Sequence, residues 1–574
     1  MNVNELTAIL HRQQRPDKEH TLIKKAFDFA AAAHAGQKRK SGAPYIVHPL
    51  ATATRLAEIG LDSQTIAAAL LHDVCEDTTH TIEEIRSLFG DTIAFLVEGV
   101  TKLDKVRYRG NERSAESLRK MFLAIAEDIR IVLIKLVDRL HNMETLEFLP
   151  PEKQKRIALE TLDIYAPLAY RLGIGELKGQ LEDLAFKYVY PDKYDWLSKN
   201  LREHYNERYE YMERLKPLIA QELGKENIAF RDIHARAKHA YSLYRKLVKY
   251  DMEIDKVYDL FAVRIIVETI EDCYATLGVV HKLWKPVPGL VKDYISLPKP
   301  NGYHSLHTTV FGPDGRTVEF QIRTQEMHDE AENGIAAHWA YAERKGSSAY
   351  AKRGTSFAPQ KELGWIQQLR EWQKDFDKPD EFLEALKIDF FKNRIFVLTP
   401  KGDVIDLPEG ATVVDAAYRI HSDIGDTAIG ARINGKMTAL DYVLKNREVV
   451  DVITQKNKKP NRDWLNFVKT AAARQHINSA IKKTQEQNMF DKRSGEAVEF
   501  RISVHDRVAL LRDISMVFAR QKINMKNVTT DAKHRVYPII VITVTLKQRS
   551  ELEKITSKLK EVKGVIEVGY KIIH

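Results

Sequence analysis

A chain of 574 residues, 44% hydrophobic and 29% charged, has room for about three to five globular domains at ~100–200 residues each. Its two cysteines, Cys75 and Cys273, exclude a disulfide framework and any zinc site made of three or four thiolates, so a reducing cytoplasmic setting is expected. The net charge of +9 suits phosphate-bearing partners. The polar stretch from Met1 to Asp17 lacks a signal-peptide pattern, and no run approaches the ~18 apolar residues of a membrane span, so no membrane partner is expected.

From Leu22 to about Leu201 the pattern is helical, with Ala-rich runs at Phe27–Ala33 and Thr65–Leu71 broken by Gly and Pro. The apolar helix Ile66–Leu71 ends on His72-Asp73-Val74-Cys75-Glu76-Asp77. A His-Asp pair alone is weak, since the chain has two others, His328-Asp329 and His505-Asp506. The first has company: His48 upstream, and Asp138 downstream on the helix Ile131–Leu146. Two imidazoles and two carboxylates suit a borderline-hard divalent ion such as manganese. Glu76 and Asp77, one turn beyond the ligands, are placed to position or activate a water. Asn142, at i+4 from Asp138, faces the same pocket.

From Ile228 to Tyr341 the texture becomes mixed α/β, with strands expected at Leu260–Val267, His304–Phe311 and Thr317–Thr324. The run Arg236 to Lys246 reads as a basic helix, with Lys238, Ser242 and Arg245/Lys246 at helical spacing. Asp259 opens a strand with a carboxylate. Along Thr317–Thr324, Glu319, Gln321 and Arg323 alternate onto one polar face. Lys299 to Thr308 offers an aromatic ring beside cations. A carboxylate, an amide and guanidinium groups together are what a magnesium–phosphate site requires.

Arg344–Gln360 reads as a Gly/Ser-rich linker. Arg394–Ile453 is a small unit with strands at Ile395–Leu398 and Val449–Ile453 and turns at Lys401-Gly402 and Asn434-Gly435. Gln455–Arg493 carries ten Lys and Arg against three Asp and Glu, a local excess of +7 that reads as a solvated helical linker or a contact with RNA phosphates. Val498–Ile573 reads β, α, β, β, α, β, with strands near Val498–Val504, Asn527–Ala532, Val536–Leu546 and Ile566–Ile572, the order of a ferredoxin-like module.

These residues together resemble the RelA/SpoT homologue family. The run Arg39-Lys40-Ser41-Gly42-Ala43-Pro44-Tyr45, the box around His48, His72–Thr78 and Asp138–Asn142 look like its hydrolase half, of the HD superfamily. That half removes the 3′-pyrophosphate of (p)ppGpp with manganese. The resemblance implies a metal on His48, His72, Asp73 and Asp138, water-handling carboxylates at Glu76 and Asp77, and nucleotide contacts at Arg39, Lys40, Ser41, Asn142 and Thr145. Glu144 stands where the family usually has Arg. The segment from Arg236 to Thr324 looks like the synthetase half, which moves pyrophosphate from ATP to the 3′-hydroxyl of GDP or GTP. Here the resemblance implies adenine between Arg236 and Arg264, ATP phosphates on Lys238 and Ser242, and Mg²⁺ on Asp259 and Glu319, the latter also a candidate base. It implies guanine on Tyr303, with Lys299, His307 and Gln321 lining the acceptor site. Leu290-Val291-Lys292-Asp293 departs from the Arg-x-Lys-Asp usual in bifunctional members.

By the same resemblance the architecture is multidomain. An all-α HD hydrolase domain is expected at 1–195, an α/β nucleotidyltransferase-like synthetase domain at 196–342 and a linker at 343–390. A small β-grasp TGS domain follows at 391–454, a basic helical connector at 455–496 and a ferredoxin-like ACT domain at 497–574. In longer members more than a hundred residues, including a Cys/His-bearing module, separate TGS from ACT. Uncharged tRNA, met through His421, and the ribosome are the implied macromolecular partners. Three rivals stand beside this reading. A tRNA nucleotidyltransferase fused to an HD phosphodiesterase needs a Gly-Ser turn before a tight Asp-x-Asp pair, and none precedes Asp251–Asp255. A hydrolase with an inert synthetase scaffold is compatible with Leu290. A non-enzymatic RNA sensor leaves the set at 48, 72, 73 and 138 unexplained.

Overall fold

The computed structural model describes residues 3–104, 127–253, 261–299, 301–337, 394–492, 496–531, 537–546 and 549–573. Asp259 and the expected linker at 343–390 lie outside them. Two compact units, Met1–Phe391 and Lys392–His574, are described separately.

The first unit begins with helices. Ser63–Leu71 starts where the Asp62 carboxylate accepts from Thr65 N, and every residue from Thr65 to Leu71 is buried. A helix apolar on all sides belongs at the centre of a bundle, and Asp17–Ala33, Val47–Ile59, Asp91–Asp104 and Ile129–Glu144 surround it in one core. The helix Ile129–Glu144 is N-capped by Asp128 and buries nearly its whole length from Ile131 to Leu140. It therefore carries Asp138 into the interior.

A five-stranded sheet follows: β1 (Phe230–Ala237), β2 (Phe261–Val267), β3 (Lys292–Asp293), β4 (Leu306–Phe311) and β5 (Thr317–Thr324), in the order β1-β2-β5-β4-β3. Only β2 and β5 run parallel. β2 is β-branched and aromatic, buried along its length, and sits inside the sheet as such a run should. The pairing register lines up two rows across the sheet. Arg236, Ala262, Glu319 and Thr309 form one, and His234, Arg264, Gln321, His307 and Lys292 the next. The strand β1 was not anticipated. The basic run begins on it, because Arg236 still lies on the strand, and the helix starts only at Ala240. Lys238 and His239 form the bend between them, so Lys238 is not on the helical face that spacing suggested.

One helix of 35 residues, Pro191–Lys225, runs straight across the boundary expected at 195. Leu197, Met212, Leu215, Ile219 and Leu223 pack into the second core with the sheet, so the whole helix goes with the α/β part. The preceding helix Gly175–Val189 places Leu177, Leu181 and Ala185 in the first core and Phe186 in the second.

In the second unit, β6 (Arg394–Leu398) pairs with β7 (Val404–Pro408), the helix Val413–Ile420 follows, and β8 (Ala428–Ile433), β9 (Lys436–Thr438) and β10 (Val450–Thr454) form a sheet. Asn434 and Gly435, with φ of 49° and 83°, make the two-residue turn between β8 and β9 that the Asn-Gly pair foretold. The connector differs from expectation. It is helical from Ala471 to Lys492, whereas Trp464 and Val468 before that helix, and Ala473 and Ile477 within it, are buried against Val414, Ala417, Tyr418 and Ala428. The Asp415 carboxylate accepts from Lys469 N, Thr470 N and the Thr470 hydroxyl. Apolar residues hidden among ten cations make this stretch part of the small domain's core. The last part pairs β11 (Glu496–Val504), β12 (Met525–Asp531), β13 (Ile539–Leu546) and β14 (Val565–Ile573) antiparallel in the order β12-β13-β11-β14, as a ferredoxin-like module requires. Among the described residues no helix is long and apolar enough to cross a membrane.

Candidate active sites

The first site gathers four side chains where three helices meet. His48 opens Val47–Ile59, His72 ends Ser63–Leu71, Asp73 follows it, and Asp138 lies mid-helix in Ile129–Glu144. Ligand atoms of His48, His72 and Asp138 all lie within 4.8 Å of one another, and all three residues are buried. The Asp73 carboxylate is 3.1 Å from His72 Nε2 and 3.5 Å from His48 Nε2.

The second nitrogen of each imidazole fixes what the first can do. His72 Nδ1 lies 2.7 Å from the Ala69 carbonyl, so it is the donor nitrogen, and in the neutral ring Nε2 keeps its lone pair. His48 Nδ1 is 2.7 Å from His141 Nδ1. The Arg39 guanidinium donates to that same His141 nitrogen, and burial together with the His48 and Arg39 charges pushes His141 down to about 3. His141 is therefore the acceptor, and His48 Nε2 is left facing the carboxylates.

The charge balance fits a cation. Burial disfavours charge on His72, yet Asp73 and Asp138 hold its pKa up at about 9. His72 Nε2 is buried without a well-formed hydrogen bond. Asp73 stays well below the ordinary carboxylate range against burial, through His72 and His48, and Asp138 does so through Lys135, His48 and His72. Lys135 Nζ holds Asp138 Oδ2 at 2.5 Å, and Asn142 donates to Oδ1 at 2.7 Å. The donor set of two imidazole nitrogens and carboxylate oxygens suits a divalent ion.

Around this centre, Arg39 donates to Asn142 at 2.8 Å and to Thr145 at 3.4 Å. Lys40 and Ser41 are exposed on a turn at Gly42, and Glu76 and Asp77 are exposed beside the site. The Tyr45 hydroxyl donates to Asp73 and to Asp77. Tyr45, Lys135 and His141 were missed as site residues. Lys135 and His141, at i−3 and i+3 from Asp138 on the same helix, were the two that helical spacing could have found. Glu144 is exposed and pairs with Arg55, which also reaches Gln180.

The second site lies on the rows of the α/β sheet. Glu319, Gln321 and Arg323 share a face as the alternation implied: Arg323 donates to Gln321 at 3.1 Å, and Gln321 lies 3.5 Å from Glu319. His307 Nδ1 is 2.7 Å from Glu319 and its Nε2 is 2.7 Å from the Tyr303 hydroxyl, which also accepts from Arg323. Lys299 Nζ sits 4.6 Å above the Tyr303 ring. Burial, Lys292, Arg323 and Lys178 press the Lys299 ammonium down to about 8, against Glu319. Arg264 and Arg323 are buried, with guanidinium N–H groups left without an acceptor. The Glu332 carboxylate approaches Arg264 at 2.9 Å, Arg236 at 3.4 Å and Arg323 at 3.8 Å. Buried donors in excess of acceptors suit a polyanion. Asp293 of the Lys292-Asp293 pair caps the following turn, accepting from Ile295 N, Ser296 N and the Tyr274 hydroxyl. In the second unit, His421 is exposed and N-caps the helix Ser422–Thr427.

Family models match four stretches: an HD domain at 26–175, the region found in RelA/SpoT proteins at 235–346, a TGS domain at 395–454 and an ACT domain at 496–569. The probable guanosine-3′,5′-bis(diphosphate) 3′-pyrophosphohydrolase of Synechocystis sp. is 47% identical over 90% of this chain and 67% of its own length. The chain belongs to the RelA/SpoT family. Other RelA/SpoT relatives are the GTP pyrophosphokinase of Myxococcus xanthus, 49% identical over 82% of this chain and 62% of its own, and the bifunctional (p)ppGpp synthase/hydrolase RelA of Mycobacterium tuberculosis, 44% identical over 85% and 66%. The chain spans 55–67% of the length of the curated relatives it matches. Among solved structures, small alarmone synthetase 2 of Bacillus subtilis is 27% identical over 34% of this chain and 98% of its own, at a TM-score of 0.21, too low to carry an argument. The four modules expected from the sequence, HD, synthetase, TGS and ACT, are thus those of the RelA/SpoT family.

Proposed function

We propose that the chain is a bifunctional alarmone enzyme. Its helical half hydrolyses the 3′-pyrophosphate of (p)ppGpp, and its α/β half transfers pyrophosphate from ATP to the 3′-hydroxyl of GDP or GTP. The observation that carries the first activity is the buried cluster of His48, His72 and Asp138, with Asp73 beside it, whose charge balance calls for a cation. Manganese is the ion proposed, and when bound it supplies Lewis acidity and lowers the pKa of water. Glu76 and Asp77 take the proton of the attacking water, with Asp77 steadied by Tyr45. Arg39, Lys40, Ser41, Asn142 and Thr145 hold the nucleotide.

For synthesis, Mg²⁺ is proposed on Glu319 and Asp259. Catalysis there is mostly neutralisation of phosphate charge by fixed cations, as pyrophosphoryl transfer demands. Arg236 and Arg264 flank the adenine, and Lys238 and Ser242 take ATP phosphates. Tyr303, Lys299, His307 and Gln321 form the guanine-nucleotide side, and Glu319 accepts the 3′-hydroxyl proton. His307 at 2.7 Å keeps that carboxylate oriented. Uncharged tRNA and the ribosome are proposed partners through His421 and the cationic stretch, in the cytoplasm.

A second reading, hydrolysis with an inert synthetase half, is favoured by Glu332, which engages the three arginines that phosphate or base would meet. One experiment separates them. The purified chain is given manganese and ppGpp, then magnesium, ATP and GDP, and both nucleotide pools are followed. Pyrophosphate release in the first arm and ppGpp formation in the second are expected. No release with manganese overturns the hydrolase assignment, and no formation leaves the scaffold reading.

A further inference from the structure

The helix Gly175–Val189 is rooted in the hydrolase core through Leu177, Leu181 and Ala185, yet its polar side enters the synthetase site. Gly179 makes this possible: a Cβ there would lie 2.2 Å from the His239 ring, so only a bare backbone approaches so closely. Beside it, Asp183 accepts from Tyr241 N at 2.9 Å and lies 2.8 Å from His239 Nδ1. The helix Ala240–Lys249 has no cap from its own preceding residue. A carboxylate from the other catalytic half therefore does that work.

One turn away, Lys178 Nζ donates to Ser242 Oγ at 3.2 Å and pairs with Glu182 at 2.7 Å, while Ser242 donates to Glu182 at 3.2 Å. Glu182 is buried. The charge of Lys178 also reaches Lys299, where it adds to the depression of that ammonium. Lys299, Arg264 and Arg323 of the same site are cationic as well, and the last two have buried N–H groups left without an acceptor. A long, flexible ammonium hydrogen-bonded to Ser242 stands within reach of any phosphate that Ser242 binds, and Glu182 is its counter-ion until such a phosphate arrives.

We propose that Lys178 is a further phosphate-binding residue of the synthetase site, supplied by the hydrolase half and directed at the triphosphate of the donor nucleotide. This rests on the reading of the second site as a pyrophosphate-transfer centre. A charged hydrogen bond of this kind is worth about a 10- to 100-fold change in affinity.

The test uses the full chain with Lys178→Met, Lys178→Arg and Glu182→Gln. Binding of a non-hydrolysable ATP analogue with magnesium is measured by calorimetry, beside KM and kcat for synthesis and the rate of ppGpp hydrolysis. Lys178→Met should weaken analogue binding and raise KM for ATP by about 10-fold or more, with KM for GDP unchanged. Lys178→Arg should recover most of the affinity, and Glu182→Gln should keep or tighten it. An unaltered hydrolysis rate shows that the helix still folds. Unchanged analogue binding and unchanged KM for ATP in Lys178→Met overturn the proposal, as does a parent chain that binds no analogue. A parent that binds the analogue but makes no ppGpp refutes the transfer reading alone, and the binding arm still decides for Lys178.

Discussion

Replacing Gly179 by Ala should separate the two activities. An added Cβ would sit 2.2 Å from two ring atoms of His239 and 2.5 Å from a third, so the ring must retreat by more than ~1 Å to reach ordinary packing distance. The ring is not free to swing. Asp183 holds Nδ1 at 2.8 Å, and Glu176 lies 3.6 Å from Nε2. Displacement sacrifices a charged hydrogen bond, about 1.5–3 kcal/mol, and adds overpacking of about 1–3 kcal/mol. The better helix propensity of Ala returns about 1 kcal/mol. The net is a loosening of about 1.5–5 kcal/mol, confined to the contact between the helix Gly175–Val189 and the segment around Lys238 and Ser242. Synthesis should fall by at least about tenfold, while hydrolysis, whose ligands sit on other helices, stays within about twofold. The assay is parallel initial rates for both reactions, with a denaturation curve for Gly179→Ala, His239→Ala and the double variant. In the double variant the ring that Ala strikes is gone, so its cost should be well below the sum of the two. Costs additive within ~0.5 kcal/mol would refute the argument, because they would mean the methyl and the ring never meet.

Manganese should raise the melting temperature of the parent chain, by the equivalent of about 2.7 kcal/mol at a hundred times its Kd. His72→Ala should show no such rise and no hydrolysis, and an undiminished rise would remove His72 from the ligand set. Arg55→Ala leaves the Glu144 carboxylate without this cation beside Asn142 and Thr145, so KM for ppGpp should increase, and adding Glu144→Gln should reverse it. A KM unaffected by either change would mean that this pair does not touch the nucleotide pocket. Asp183 and Glu176 raise His239 to about 9. The elevated folded pKa means that its contribution to stability is complete below the ordinary histidine range and is lost as pH rises through about 9. Stability measured from pH 7 to 10 should therefore decline, with a lower midpoint in Asp183→Asn, and a flat profile would contradict the pairing.

The gathering of His48, His72 and Asp138 was legible from residue type and family resemblance, and helical spacing added Asn142. Asn142 meets Asp138 as the i+4 relation demands, and the period-two alternation of Glu319, Gln321 and Arg323 held along β5. Local rules gave way where partners lie far apart in sequence. Spacing could not show that Arg236 lies on a strand, because β1 exists only by pairing with β2. Nor could it show that Trp464 and Ile477 bury themselves on the small domain, because their charged neighbours dominate the local composition. His141, fixed by contacts to Arg39 and His48 roughly a hundred residues earlier, left no local signal beyond its place on the same helix. Lys178 and Asp183 likewise look like solvated helix residues until the sheet is in place beside them.

The hydrogen bond from Tyr241 to Asp183 also orders events on the ribosome that makes this chain. Its carboxylate is 58 residues upstream of the amide it receives, so at ~5–20 residues per second the acceptor is polymerised on the order of 3–12 s before the donor. The helical core can close around Leu177, Leu181 and Ala185 within that interval. The later helix then emerges next to a finished template. A fragment starting downstream of Val189 would have to form the same bend with no such template, and its refolding should be slower than that of the intact chain.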